Sequence, residues 1–278
     1  MKKDKKKFGK IILRIFIITF LIVEVYPLIW LVLSSFKTTE EFTMNPIYSL
    51  PEGLYLGNYV YAWTVGKVSV LFKNTVIVTI ASLFIVLVLS STAAFALSKL
   101  KWKLSGAVSL FIRLGMFIPP FVLLLPQFIM FRNMNVLNTL WALIIAFGSS
   151  ISMATFLLIG FYKFIPDEII ESSVIDGCGV YRCFFHIAVP MTGNGYVTVL
   201  MLTFFGIWNN LLVSQTFVSS TSQKMLQAGL AAYMDSQIGR DWGATFAAIS
   251  IAVVPTILTY LILSKQIIAG VTAGSVKG

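Results

Sequence analysis

Two cysteines, Cys178 and Cys183, stand five positions apart, with the chain's single histidine, His186, close behind them. Residues of these types can hold zinc or run thiol chemistry. A zinc site needs four ligands, or three and a water, and a five-residue step is not the Cys-x-x-Cys of a redox pair. They read instead as two ordinary small residues in a reducing compartment, and no metal is expected. The same stretch is richer in carboxylates: Asp167, Glu168, Glu171 and Asp176 lie between Pro166 and Gly177. One histidine and two cysteines supply little for an enzyme's nucleophile or metal cluster. Elsewhere, Glu24 and Arg113 fall inside apolar runs, where an ionisable group is costly and a functional candidate by default. They could pair, or Arg113 could snorkel to the nearby end of its run; a structural role is favoured for both. Trp208, Asn209 and Asn210 join an indole to two amides and are candidates for a solute pathway. Interhelical hydrogen bonding is the alternative.

The elements that position these groups follow from composition. Of 278 residues, 58% are hydrophobic and 12% charged, and mean hydropathy is +0.88. A soluble domain carries about 25% charged residues, so water is not the main solvent. The formal charge of +10 raises nucleic acid as a partner. Much of that excess, however, sits in Lys2, Lys3, Lys5, Lys6, Lys7 and Lys10, immediately before an apolar run. A flank of this kind suits anionic headgroups and cytoplasmic retention, and no nucleic-acid partner is expected. The run itself, 11–33, is longer than a signal-peptide core and lacks a small-x-small cleavage site after it, so it reads as a retained span.

Six stretches reach the roughly 20 apolar residues that a crossing helix needs: 11–33, 74–97, 107–130, 140–162, 187–213 and 244–263. Pro119, Pro120 and Pro126 mark the third as broken, and Pro255 lies in the sixth. Such breaks survive where neighbouring helices or a wet cavity satisfy the freed backbone groups. With the N-terminus inside, and Arg14 at the start of the first run counted with the N-terminal lysines, 14 of the 21 lysines and arginines fall on inner segments, 6 on outer segments and one, Arg113, in a span; the bias places both termini in the cytoplasm. The expected organisation is therefore an all-α polytopic membrane protein. It has a basic N-terminus (1–10), a first span (11–33), an outer loop (34–73), a core (74–264) and a cytoplasmic tail (265–278). The core carries an inner loop at 163–186 and an outer loop at 214–243.

The inner loop is built like a short helix. Pro166 suits the first helical position, Asp167 and Glu168 favour the positive end of the macrodipole, and Gly177 can take the left-handed conformation that ends a helix. A second helical stretch runs over 180–185. Ser172 and Ser173 are small, and Ile169, Ile170 and Val174 offer an apolar stripe. A helix seated in a groove of another protein and one lying on the bilayer surface fit equally.

Glu171-Ser172-Ser173, then Asp176-Gly177, Phe184 and Pro190, resemble the "EAA" loop of bacterial binding-protein-dependent ABC importer permeases. Their usual form is E-A-A-x-x-D-G-A followed by an aromatic and Leu-Pro. Here two serines replace the alanines, Cys178 the last alanine and Val189 the leucine. The ending from Gln266 to Gly278, with Gly270-Val271-Thr272-Ala273-Gly274-Ser275-Val276-Lys277-Gly278, resembles the G-L-T-A-G-A-V-K-G of maltose-type second permease subunits. Pro27-Leu28-Ile29-Trp30 with Ser35-Phe36-Lys37, and Leu137 through Leu143, are similar to the same carbohydrate class.

That resemblance implies the type I ABC importer permease fold and one half of a sugar pathway worked by alternating access. The implied partners are a second permease subunit in a heterodimer, two copies of a cytoplasmic ATPase, an extracytoplasmic sugar-binding protein and membrane lipid. ATP and Mg would be bound by the ATPase partners, with no catalytic residue and no cofactor in this chain. The ATPase-coupling residues implied are Glu171, Ser172, Ser173, Asp176, Gly177 and Phe184, Glu171 supplying polar anchoring. Gly274, Ser275, Val276 and Lys277 are implied as a C-terminal ATPase contact. Tyr233, Asp235, Gln237 and Trp242 in the second outer loop would meet the binding protein. The same fold carrying glycerol phosphate or a peptide is the nearest alternative. A secondary transporter would need ion-coupling groups and usually a repeat, neither of which is evident.

Overall fold

The computed structural model describes the backbone of residues 2–235 and 241–275 and the side chains of 9–235 and 241–264. Among the described residues there is no strand, as expected where the bilayer offers backbone groups no water and each segment must satisfy its own. In chain order the helices are α1 (Lys2–Ser34), α2 (Thr39–Met44), α3 (Gly57–Thr64), α4 (Val68–Lys99), α5 (Ser105–Gly115), α6 (Pro120–Asn133), α7 (Leu140–Gly148) and α8 (Ser152–Tyr162). There follow α9 (Asp167–Ile175), α10 (Val180–Cys183), a π-turn (Phe184–Ala188), α11 (Val189–Met191), α12 (Gly193–Trp208), α13 (Leu212–Phe217), α14 (Leu226–Met234) and α15 (Trp242–Ser275).

Among the described residues, four helical stretches are long and apolar enough to cross a membrane: Gly9–Ser34, Val68–Lys99, Leu140–Tyr162 and Trp242–Ser264. Two bent pairs bring the number to six when each is taken as one span. Ser105–Gly115 meets Pro120–Asn133 at 100°, and Val180–Met191 meets Gly193–Trp208 at 77°. The first bend lies where the proline pair placed it. Pro119 is extended (φ −61, ψ 132) and Pro120 opens α6, where its missing N–H costs nothing. The second bend departs from the continuous run expected over 187–213. Pro190 removes one donor, and Thr192 (φ −105, ψ 17) turns its hydroxyl back onto the Ala188 carbonyl at 2.6 Å, a local bond that bends helices.

The chain divides into two compact units, Met1–Ser69 with Leu230–Val254 and Val70–Gly229 with Pro255–Gly278. In the first, none of the apolar window of α1 is buried by its own chain, so that helix needs lipid or another subunit around it. Beyond α1 the loop is tightly tied. Thr38 and Glu41 form a reciprocal capping box on α2, while within α1 itself Trp30, near its end, meets Phe246 edge-on at 5.0 Å. Lys37 is 1% exposed and donates to the Ile47 carbonyl (3.1 Å) and Ser49 Oγ (3.2 Å). The Glu52 amide, donating to Glu41, holds that carboxyl below the usual range, helped by Thr38 and the nearby Lys37 charge.

The second unit has two apolar clusters. One, built on Phe131, Leu143, Phe147, Phe217 and Met225, joins α6, α7 and α13. The other, built on Phe95, Leu158, Tyr162, Ile165, Ile170 and Phe184, joins α4 and α8 to the inner loop. Here Gly195 lets α12 approach α8 closely: a Cβ at that position would stand 2.6 Å from Phe161 Cγ.

Candidate functional site

The loop of residues 163–186 begins after Tyr162, the last residue of α8. Pro166 is the residue before the helix, not its first member as expected, and is extended (φ −56, ψ 137) with no side chain to cap with. Lys99, the last residue of α4, ties down this end instead. Its Nζ donates to the Ile165 carbonyl and to Asp167 Oδ1, both at 2.6 Å. The lysine side chain is 3% exposed while Asp167 is open to water. Lys99, by its hydrogen bond and then its charge, holds the Asp167 carboxyl below the usual carboxylate range. Among the described residues this is the one ion pair.

The other end closes on backbone alone. Gly177 is left-handed (φ +81); its amide reaches the Val174 carbonyl at 3.0 Å and the Cys178 amide reaches Ser173 O at 2.9 Å. This pair of bonds is the Schellman closure, and it needs no cap from the Asp176 carboxylate, which is left exposed. Glu171, Ser172 and Gly177 are exposed with it, the Ser172 hydroxyl bonding back to Glu168 O at 2.7 Å.

Two residues expected to touch an ATPase face the other way. Ser173 is 6% exposed and donates to Ile170 O (2.7 Å) and Cys183 Sγ (3.4 Å). Phe184, 6% exposed, packs 5.2 Å from Phe95. Both hold the loop against the span ends, so neither offers direct contact to another chain. The apolar stripe splits in the same way. Ile170 is buried in the cluster, whereas Ile169, Val174, Ile175 and Tyr181 are exposed. The outward face thus combines Glu168, Glu171 and Asp176 with uncovered apolar groups. Behind it, the π-turn joins α10 to the bent fifth span, a form that recurs at functional sites, and the Tyr162 and Tyr196 hydroxyls share a 2.7 Å hydrogen bond. Cys178 and Cys183 are free thiols.

Of the three pathway candidates, Asn210 lines a cavity of about 270 Å³ with Ser150, Thr203, Gly206 and Pro120 among its walls. Its Oδ1 also accepts from the Val213 amide at 2.9 Å, capping α13. Asn209 is exposed. Trp208 is 3% exposed, stacked with Phe204 at 5.4 Å and edge-on to Phe72 at 5.6 Å; it packs, and is not presented to a solute. In the second outer loop, Asp235 and Trp242 are exposed. Tyr233 is 6% exposed, and burial, then the Asp241 charge, push its hydroxyl up to about 12, so it is not a surface for a partner. Gln237, Val276 and Lys277 lie outside the described residues. Gly274 and Ser275 continue α15 in backbone only.

The sequence reading missed Lys99, which it counted only as an inner positive charge. A lysine ending a long span before a loop that opens with Asp167 is the available signal. Arg113, expected in a span, lies in α5 with its Nε on Ser109 O at 3.2 Å.

A family profile described as "Binding-protein-dependent transport system inner membrane component" matches residues 87–271. The chain is 31% identical over 258 residues to the diacetylchitobiose uptake system permease protein NgcG of Streptomyces coelicolor, covering 92% of this chain and 85% of that protein. It is 32% identical over 281 residues to the probable ABC transporter permease protein YurM of Bacillus subtilis, covering 99% and 93%. Among solved structures it resembles a chain of a bacterial ABC transporter involved in the import of the acidic polysaccharide alginate. The TM-score is 0.83 at 17% identity, over 94% of this chain and 97% of that one, a likeness of fold. The secondary-transporter alternative gives way to these matches. The chain belongs to the binding-protein-dependent transport system inner membrane components, and it is a multi-pass ABC transporter permease of the bacterial inner membrane.

Proposed function

We propose that this permease forms half of the pathway of a sugar importer and that α9 is the handle by which a cytoplasmic ATPase moves it. The observation that carries the reading is the construction of α9. It is clamped to α4 through Lys99, closed by Gly177, packed from behind by Ile170, Ser173 and Phe184, and left open in front. A helix held at both ends transmits a push, and an outward face of acids and bare apolar groups suits a groove on another protein. The partners in this reading are a second permease subunit, two ATPase subunits that bind ATP and Mg, and an extracytoplasmic binding protein meeting Asp235 and Trp242. Uncovered α1 is one surface for the second permease. Solute would pass the cavity at Asn210, and closure of the ATPase pair would switch it between inward and outward access. The C-terminal tail would add a second ATPase contact.

A sugar is favoured because relatives are named for diacetylchitobiose, starch degradation products and arabinooligosaccharides; glycerol phosphate and peptides draw no such support. The test is ATP hydrolysis by the reconstituted complex, stimulated by its binding protein, across a panel of oligosaccharides. Stimulation by at least one, abolished by Glu171→Lys, is expected. Stimulation by peptides or glycerol phosphate alone would refute the sugar assignment, and normal coupling in Glu171→Lys would refute the role of α9.

A further inference from the structure

A second hollow, of about 460 Å³, opens between the ends of α4, α5 and α8, with Leu97, Phe156 and Phe164 on its walls and Arg113 and Lys163 at its polar positions. We infer that it is a binding site for the headgroup and upper acyl chains of one anionic phospholipid. Both cations lack a carboxylate within ion-pair distance among the described residues. Among the described residues Arg113 bonds only through Nε, to Ser109 O at 3.2 Å, which leaves its four Nη–H donors for an outside acceptor. A guanidinium and an ammonium facing one hollow repel each other, and a phosphodiester relieves that repulsion while accepting from both. Gly160 keeps the floor open, with nothing within 4 Å of where a Cβ would lie.

Depth and polarity agree with a lipid. Lys163 follows directly on the fourth span and precedes the inner loop, so the hollow sits at the loop-bearing end of the spans, the cytoplasmic side in the positive-inside reading. Basic pockets between helices at that level take anionic headgroups, and the aromatic and aliphatic walls suit acyl chain, not a free ion. Since α5 and α8 frame the hollow and α8 runs into α9, an occupant would brace the base of the coupling helix.

The test uses the whole transporter complex, delipidated in detergent. Phosphatidylglycerol and phosphatidylcholine are titrated separately, and bound lipid is counted by native mass spectrometry. Each basic group near a headgroup contributes about 1 kcal/mol. The double variant Arg113→Gln, Lys163→Gln should therefore bind phosphatidylglycerol roughly 30-fold more weakly, a change of about 2 kcal/mol, with phosphatidylcholine unaffected and Arg113→Lys restoring most of the affinity. Equal phosphatidylglycerol binding by wild type and double variant would overturn the inference, as would equal loss of both lipids. Displacement of the lipid by millimolar inorganic phosphate would reassign the site to a soluble anion. Disulfide capture of the partner permease by Phe156→Cys would show the hollow filled by protein and also overturn it.

Discussion

Replacing Lys99 with methionine keeps the aliphatic length that fills the end of α4 but removes the charge that holds the start of α9. The lysine donates to a backbone carbonyl, Ile165 O, from a side chain that is 3% exposed. A hydrogen bond from a charged donor contributes about 1.5–3 kcal/mol, and the carbonyl left behind loses its partner. The pair with Asp167 adds little, because that carboxylate stands in water. The worked consequence is a roughly 10- to 140-fold rise in the population with the 165–168 segment detached, while the apolar cluster beneath stays packed. Two assays on the intact complex read this. Hydrogen exchange at the amides of residues 169–171, the first that bond within α9, should accelerate by about that factor, and the ATP hydrolysed per sugar imported should rise because the push is no longer transmitted. Lys99→Arg should fall between the two, and Asp167→Asn should have the smaller effect. Unchanged exchange together with an unchanged ATP-to-sugar ratio in Lys99→Met would refute the clamp.

Four further outcomes follow from the same geometry. The depressed Asp167 carboxyl contributes its stabilisation fully above the ordinary value of about 3.9 and loses it only as pH falls through the lower folded value, so the exchange increment from Asp167→Asn should be the same at pH 5 and pH 8. Gly195→Ala places a methyl against the Phe161 ring and should destabilise the complex by about 1–3 kcal/mol, read as a lower melting temperature, whereas Gly206→Ala, with open space around it, should be neutral. Phe184→Ala empties a buried site beside Phe95 and should cost about 3–5 kcal/mol, loosening the inner loop without touching its outward face. Asn210→Ala removes the cap on Val213 N at about 0.5–2 kcal/mol; if transport falls in Asn210→Asp as well, which keeps the cap, the amide acts in the pathway.

The bilayer crossings were legible because lipid admits few alternatives to a run of about 20 apolar residues, and the Pro119–Pro120 break because proline removes a donor at a known place. The bend at Thr192 was not, since it depends on a hydroxyl choosing the Ala188 carbonyl over other acceptors. Within the 163–186 loop, Gly177 declared itself through the conformation only glycine takes easily. The facing of Ser173 and Phe184 did not, because adjacent motif letters fall on opposite sides of a helix and only packing decides which side is covered. Lys99 and Asp167 are far apart in sequence, and no local period links them. The same limit hid the inward turn of Trp208 and Tyr233: an aromatic beside polar residues looks the same as letters whether it stacks on a neighbour or waits for a ligand.

The central claim, that α9 is gripped by the cytoplasmic ATPase, is tested most directly by a single cysteine at Ile175, the most exposed apolar position of the helix (85%), in a background with Cys178→Ser and Cys183→Ala. Cross-linking of the intact complex in membranes should join Ile175→Cys to the ATPase subunit, with a yield that changes on adding ATP, and the thiol should resist a membrane-impermeant maleimide applied from outside. Labelling from the outside, or capture of the binding protein in place of the ATPase, would contradict the account.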